Sequence, residues 1–164
     1  MAFFDRLRQW VPGRFLDQLG MTPPEPLLRG AQLLARGRLD EAEAAFAAAL
    51  ASAARPSETA LARNKLAIVA IRRGDRERAV AELIAALEAD QRSAAAMTTI
   101  GNLLLEDGAI AQAIAHYEYA ILMEDGYAAA YHNLGVALHR SGRRGEAVRM
   151  LRKATRLESR NARH

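Results

Sequence analysis

Cysteine is absent from the 164-residue chain, which removes thiol nucleophiles, disulfides and cysteine-ligated zinc together. No glycine-rich phosphate loop closes on a lysine, no histidine pair has the metalloprotease spacing, and no serine occupies a nucleophile elbow. Histidine is the remaining candidate. His132 and His139 are seven residues apart and share a helix face, but about 10 Å of axial rise separates them. One metal ion cannot be bound by that pair without a third element, so both are expected to be solvated or hydrogen-bonded. The expectation is a chain with no catalytic residues, no metal and no cofactor, whose chemistry is recognition.

Composition points the same way. About half of the residues are hydrophobic, enough for a folded core. Alanine is abundant and β-branched residues are sparse, which favours helices packed at close range. An all-α fold follows. No apolar run approaches the ~18 residues of a membrane span, and MAFFDRLRQW mixes charge into its apolar residues where a secretion signal has a continuous apolar core. A cytoplasmic location is therefore expected.

The elements that would present recognition groups repeat. Gly74, Gly108 and Gly142 recur at a constant step, and the same step of 34 links Leu66, Ile100 and Leu134; Ala67, Gly101 and Gly135; Ala79, Ala113 and Ala147; and Leu83, Tyr117 and Leu151. Gly30, Gly37, Ala42, Phe46 and Ala49 form an earlier copy displaced by 37, its three extra residues falling in Ala53–Ser57, where Arg55-Pro56-Ser57 reads as a loop. The predicted units are 23–59, 60–93, 94–127 and 128–161, followed by a tail at 162–164. Each reads as two helices: a first apolar stripe such as Tyr131, Leu134, Gly135 and Leu138, a glycine that ends that helix, then a second stripe such as Ala147, Val148, Leu151 and Ala154. Gly135 is expected to face Ala147 where the two backbones cross. Neither helix buries its stripe alone, so the units must stack.

These units resemble tetratricopeptide repeats. The family pattern of an aromatic, Leu-Gly, tyrosine, and later alanine, phenylalanine and alanine is similar to Tyr131, Leu134-Gly135, Leu138, Ala147, Leu151 and Ala154. It is likewise similar to Met97, Ile100-Gly101, Leu104, Ala113, Tyr117 and Ala120. The resemblance implies a right-handed superhelical solenoid of antiparallel helix pairs, and a scaffold or adaptor that holds a peptide or helix of another protein in its concave groove. Groove-facing positions carried over from the family are Asn64, Lys65, Ile68 and Arg72, then Thr98, Thr99, Asn102 and Glu106. The fourth repeat supplies Ala129, His132, Asn133, Val136, His139 and Arg140, while the first has the nearly all-apolar set Leu27, Leu28, Ala31, Leu34 and Ala35. The groove is thus expected to pass from greasy to polar. Its asparagines can both give and accept hydrogen bonds from a peptide backbone. One subfamily clamps the carboxylate terminus of chaperones, which would need polar residues at Leu27 and Ala31, or at Ile68 and Ala129; neither register is filled.

Charge is unevenly distributed along the array. The third repeat has five acidic residues and no lysine or arginine, whereas 128–164 carries nine basic residues against Glu146 and Glu158. An anionic partner such as nucleic acid is one reading, but no aromatic residues interleave with the arginines as stacking platforms. Capping is the favoured reading: Arg149 and Thr155 replace apolar residues of the earlier repeats, and Arg156 replaces Ala51, Glu88 and Leu122, on surface that a following unit would cover. The opposite charges of the third and fourth repeats also raise the alternative of a self-assembling unit.

Residues 1–22 stand outside the repeats. Phe3, Phe4, Leu7, Trp10 and Val11 follow helical spacing and form one face of a short amphipathic helix, with Pro12-Gly13 ending it. That face is expected to fold onto the first repeat. Docking on another protein or copy is the alternative, and a membrane interface is disfavoured because the polar face has two arginines against one aspartate.

Overall fold

A computed structural model describes residues 25–162, and their ordered elements are eight α-helices. They run α1 Glu25–Ala35, α2 Leu39–Ala51, α3 Pro56–Arg73, α4 Arg76–Ala89, α5 Ala94–Glu106, α6 Ile110–Met123, α7 Ala128–Arg140 and α8 Arg144–Asn161. Odd and even helices pair as antiparallel hairpins, and α3, α5 and α7 lie side by side along one surface. The result is a solenoid of four helix pairs. The amphipathic helix expected within 1–22, with Phe3, Phe4, Leu7, Trp10 and Val11, lies outside the described residues.

The hairpins turn where the periodic glycines stand. Gly37, Gly74, Gly108 and Gly142 have φ between 74° and 83°, a left-handed conformation that other residues adopt only with strain. After Gly74, Asp75 restarts the chain by accepting the Arg78 backbone N–H at 3.0 Å, an N-terminal cap for α4.

The crossings depend on missing side chains. A Cβ on Gly101 would stand 2.5 Å from the Tyr117 ring, and one on Gly30 2.5 Å from Phe46. Gly135 follows the rule with a different main neighbour than expected: its Cβ would meet Leu151 at 2.7 Å first and the Ala147 carbonyl oxygen at 3.2 Å. Phe46, Leu83 and Tyr117, in one register, are each fully buried. Burial of such side chains is worth about 1.5–3 kcal/mol each, which helices this short need in order to form.

One local expectation is corrected. Arg55-Pro56-Ser57 is not a loop: Pro56 and Ser57 are the first residues of α3. Proline at the first helical position has no orphan N–H to satisfy and a pre-set φ. The Glu58 carboxylate then takes the Ala54 and Arg55 backbone N–H groups at 2.9 and 3.1 Å. The three inserted residues therefore lengthen α3 by about a turn. At the far end Arg149, Thr155 and Arg156 of α8 are exposed to solvent. No helix among the described residues is long and apolar enough to cross a membrane.

Candidate functional site: the surface of the first helices

A step of 34 between α3, α5 and α7 aligns rows of side chains across them: Asn64, Thr98 and His132; Lys65, Thr99 and Asn133; Ile68, Asn102 and Val136; Arg72, Glu106 and Arg140. At the centre of this surface is a hydrogen-bonded cluster. Asn102 Oδ1 accepts from the Tyr117 hydroxyl at 2.9 Å and from Asn133 Nδ2 at 2.8 Å. Burial pushes the Tyr117 hydroxyl up to about 12, with Glu106 adding to the shift and Arg140 opposing it. Tyr117 thus stays protonated and donates.

The outer rows differ in what they offer. Lys65 is half-buried and has no carboxylate partner among the described residues, and burial holds its ammonium below the usual lysine range. His132, His139 and Glu106 are exposed. The Arg72 guanidinium donates to the Leu34 carbonyl at 3.1 Å, and Arg140 reaches the Leu105 carbonyl at 3.5 Å. Both grip the C-terminal end of the preceding repeat's first helix, where carbonyls lack helical partners and a cation is favoured.

In the row of Asn64, Thr98 and His132, the first two are covered. Asn64 and Thr98 are each 3% exposed, and Asn64 Oδ1 and Thr98 Oγ1 have no hydrogen-bond partner. Thr99 is also buried and returns its hydroxyl to the Ala95 carbonyl at 3.0 Å. In the first repeat Leu27 and Leu34 belong to the core with Leu66 and Val69, so only Leu28, Ala31 and Ala35 of the apolar set are exposed.

Two features lay beyond sequence reasoning. Tyr117 was a packing position, and only its hydroxyl, where sister repeats carry Phe46, Leu83 and Leu151, hinted at a polar partner. The Tyr131 hydroxyl similarly donates to Asp125 at 2.5 Å, with Lys153 Nζ 3.9 Å from the same carboxylate and 5.4 Å from the ring centroid. The opposite charges of the third and fourth repeats therefore meet partly within one chain.

Helix pairs crossing at a small residue, turning on a left-handed glycine and stacking with their first helices aligned define the tetratricopeptide-repeat solenoid. Residues 104–164 match the family model of the tetratricopeptide repeat. Among solved structures, MamA superposes with a TM-score of 0.59 at 22% identity, over 100% of this chain and 99% of that one. YrrB, described as a TPR protein with an unusual peptide-binding site, gives 0.54 at 23% identity over 79% and 66% of the two chains. The second TPR domain of Spaghetti (RPAP3), bound to the HSP90 peptide SRMEEVD, gives 0.54 at 21% identity over 60% and 91%. No curated protein matches the sequence significantly.

Proposed function

We propose that the chain is a non-catalytic interaction scaffold whose aligned first helices hold a peptide or helix of another protein. The observation that carries this is the set of polar groups left over at the centre of that surface. Asn102 spends its carbonyl on Tyr117 and Asn133, which leaves its Nδ2 hydrogens as donors; Asn133 spends an Nδ2 hydrogen, which leaves its carbonyl as acceptor. A peptide backbone needs one of each. Lys65, desolvated and without a carboxylate of its own, suits an anionic group on the ligand. His132, His139 and Arg140 extend the surface at the fourth repeat, with Arg72 and Glu106 along its edge.

Peptide binding in the Spaghetti domain and YrrB supports the reading by analogy of fold. The chaperone-tail clamp does not carry over, because Leu27, Ala31, Ile68 and Ala129 leave its polar positions empty. The test is co-purification with the wild type and with an Asn102→Ala, Asn133→Ala, Arg140→Ala variant that keeps its helical circular dichroism. The variant is expected to lose its specific partners. A folded variant that retained all of them would remove the groove assignment.

A further inference from the structure

The repeats act as one another's controls, and on the outer surface α4 breaks ranks. Ile84 is 53% exposed, while the same register holds Ala47, Glu118 and Arg152 in the sister repeats. Val80 beside it is 41% exposed. Both border a cleft of about 270 Å³ with Arg76, Leu83, Ile100, Leu103 and Leu104, at the junction of the second and third repeats. Apolar surface continues past Leu87 and Met97 to Tyr119, on the side away from the surface of α3, α5 and α7. Isolated exposed apolar residues are ordinary; a contiguous patch marks an interface.

The order of residues along α4 indicates what covers it. Arg76, Val80, Ile84 and Glu88 step about 40° around the helix with each four residues, and they are spaced symmetrically in both level and azimuth about a point between Val80 and Ile84. A two-fold axis through that point, set across the inclined row, lays the row of a second α4 antiparallel on the first, with the two helices crossing obliquely. Val80 then meets Ile84 of the other copy, and Arg76 meets Glu88 at both ends. Such self-complementarity is what an isologous interface requires. Glu88 has no ion-pair partner among the described residues, and Arg76, though joined to Asp107, remains half-exposed with guanidinium N–H groups to spare. We propose that this face of α4 is a homodimer interface, occupied by α4 of a second copy of the chain.

The interface is built on a single helix face, so a weak, concentration-dependent dimer is expected. Sedimentation velocity of the full chain over a concentration series should show the sedimentation coefficient rising toward a dimer. Ile84→Glu should hold the chain monomeric throughout. Arg76→Glu or Glu88→Arg alone, placing like charges together, should weaken dimerisation about tenfold or more, and the double exchange R76E/E88R should recover most of it. The exchange decides the matter even if Ile84→Glu disturbs folding. A wild type that stays monomeric at every concentration overturns the proposal and leaves the patch to a different protein. So does a dimer indifferent to all three single substitutions, which must use another face.

Discussion

At the scale of single residues, Lys65 carries a conflict between stability and recognition. Its ammonium is drawn partly out of water without a counter-charge, and desolvation disfavours the charged form. Lys65→Met keeps the packing of the aliphatic stem and removes that penalty. It should raise the unfolding free energy by about 0.5–1 kcal/mol while weakening partner capture; thermal denaturation and co-purification of one variant check both, and a drop in both would mean the side chain is structural. Gly101→Ala should do the opposite of what helix propensity suggests. Alanine normally gains about 0.5–1 kcal/mol in a helix, but its Cβ would enter the Tyr117 ring, and overpacking costs about 1–3 kcal/mol. Net destabilisation in a urea titration is expected. Tyr117 supplies a pH test. Its folded-state value is pushed to about 12 from the ordinary 10, so the fold favours the protonated hydroxyl and loses stability as pH rises through that interval. Tyr117→Phe should flatten the alkaline limb of the stability profile. Much at this scale was open to a reader of the sequence. The turn glycines and the small residues at the crossings betray themselves by recurrence, because backbone conformation and close approach admit few substitutes. The burial of Asn64 and Thr98 was not readable: helical spacing gives the face a residue occupies but not how far the adjoining helix covers it.

Among the helices, the ion pairs show what periodicity cannot reach. Glu43 of α2 accepts from Arg73 of α3 and from Arg78 of α4, with Arg73 also 2.6 Å from Asp40. Three helices are thus tied through one carboxylate. Arg78, then Arg73, hold the Glu43 carboxyl below the usual carboxylate range against the opposing effect of burial. A depressed folded value means the contribution is present above the unfolded value and is lost as pH falls through the folded one. Glu43→Gln should cost at most about 1 kcal/mol near neutrality, the ordinary range for such surface pairs, and its deficit should vanish in acid. A deficit independent of pH would assign the loss to packing. The sequence offered no way to pair Glu43 with Arg73, since the contact spans separate elements and obeys no short spacing rule. The start of α3 was misread for a related reason: proline breaks helices in their interior and favours their first turn, and only the position of the helix end distinguishes the two.

Across the whole molecule, the joints between repeats are unequal. Arg72 fastens the second repeat to the Leu34 carbonyl of the first, and Arg140 fastens the fourth to the Leu105 carbonyl of the third. In the third repeat that register holds Glu106, which has no guanidinium to make the same grip. Helix α4 also packs on α5 less extensively than α2 on α3 or α6 on α7. The Arg76–Asp107 pair crosses this joint, but repeat arrays transmit load only through neighbouring units, so the joint between the second and third repeats is expected to be the most compliant. Stretched between its ends in an optical trap, it should yield first between the second and third repeats. Glu106→Arg, which supplies the missing grip, should raise the force of that first yielding step. Elastic compliance of this kind would let the two halves change their mutual curvature while each keeps its own core intact.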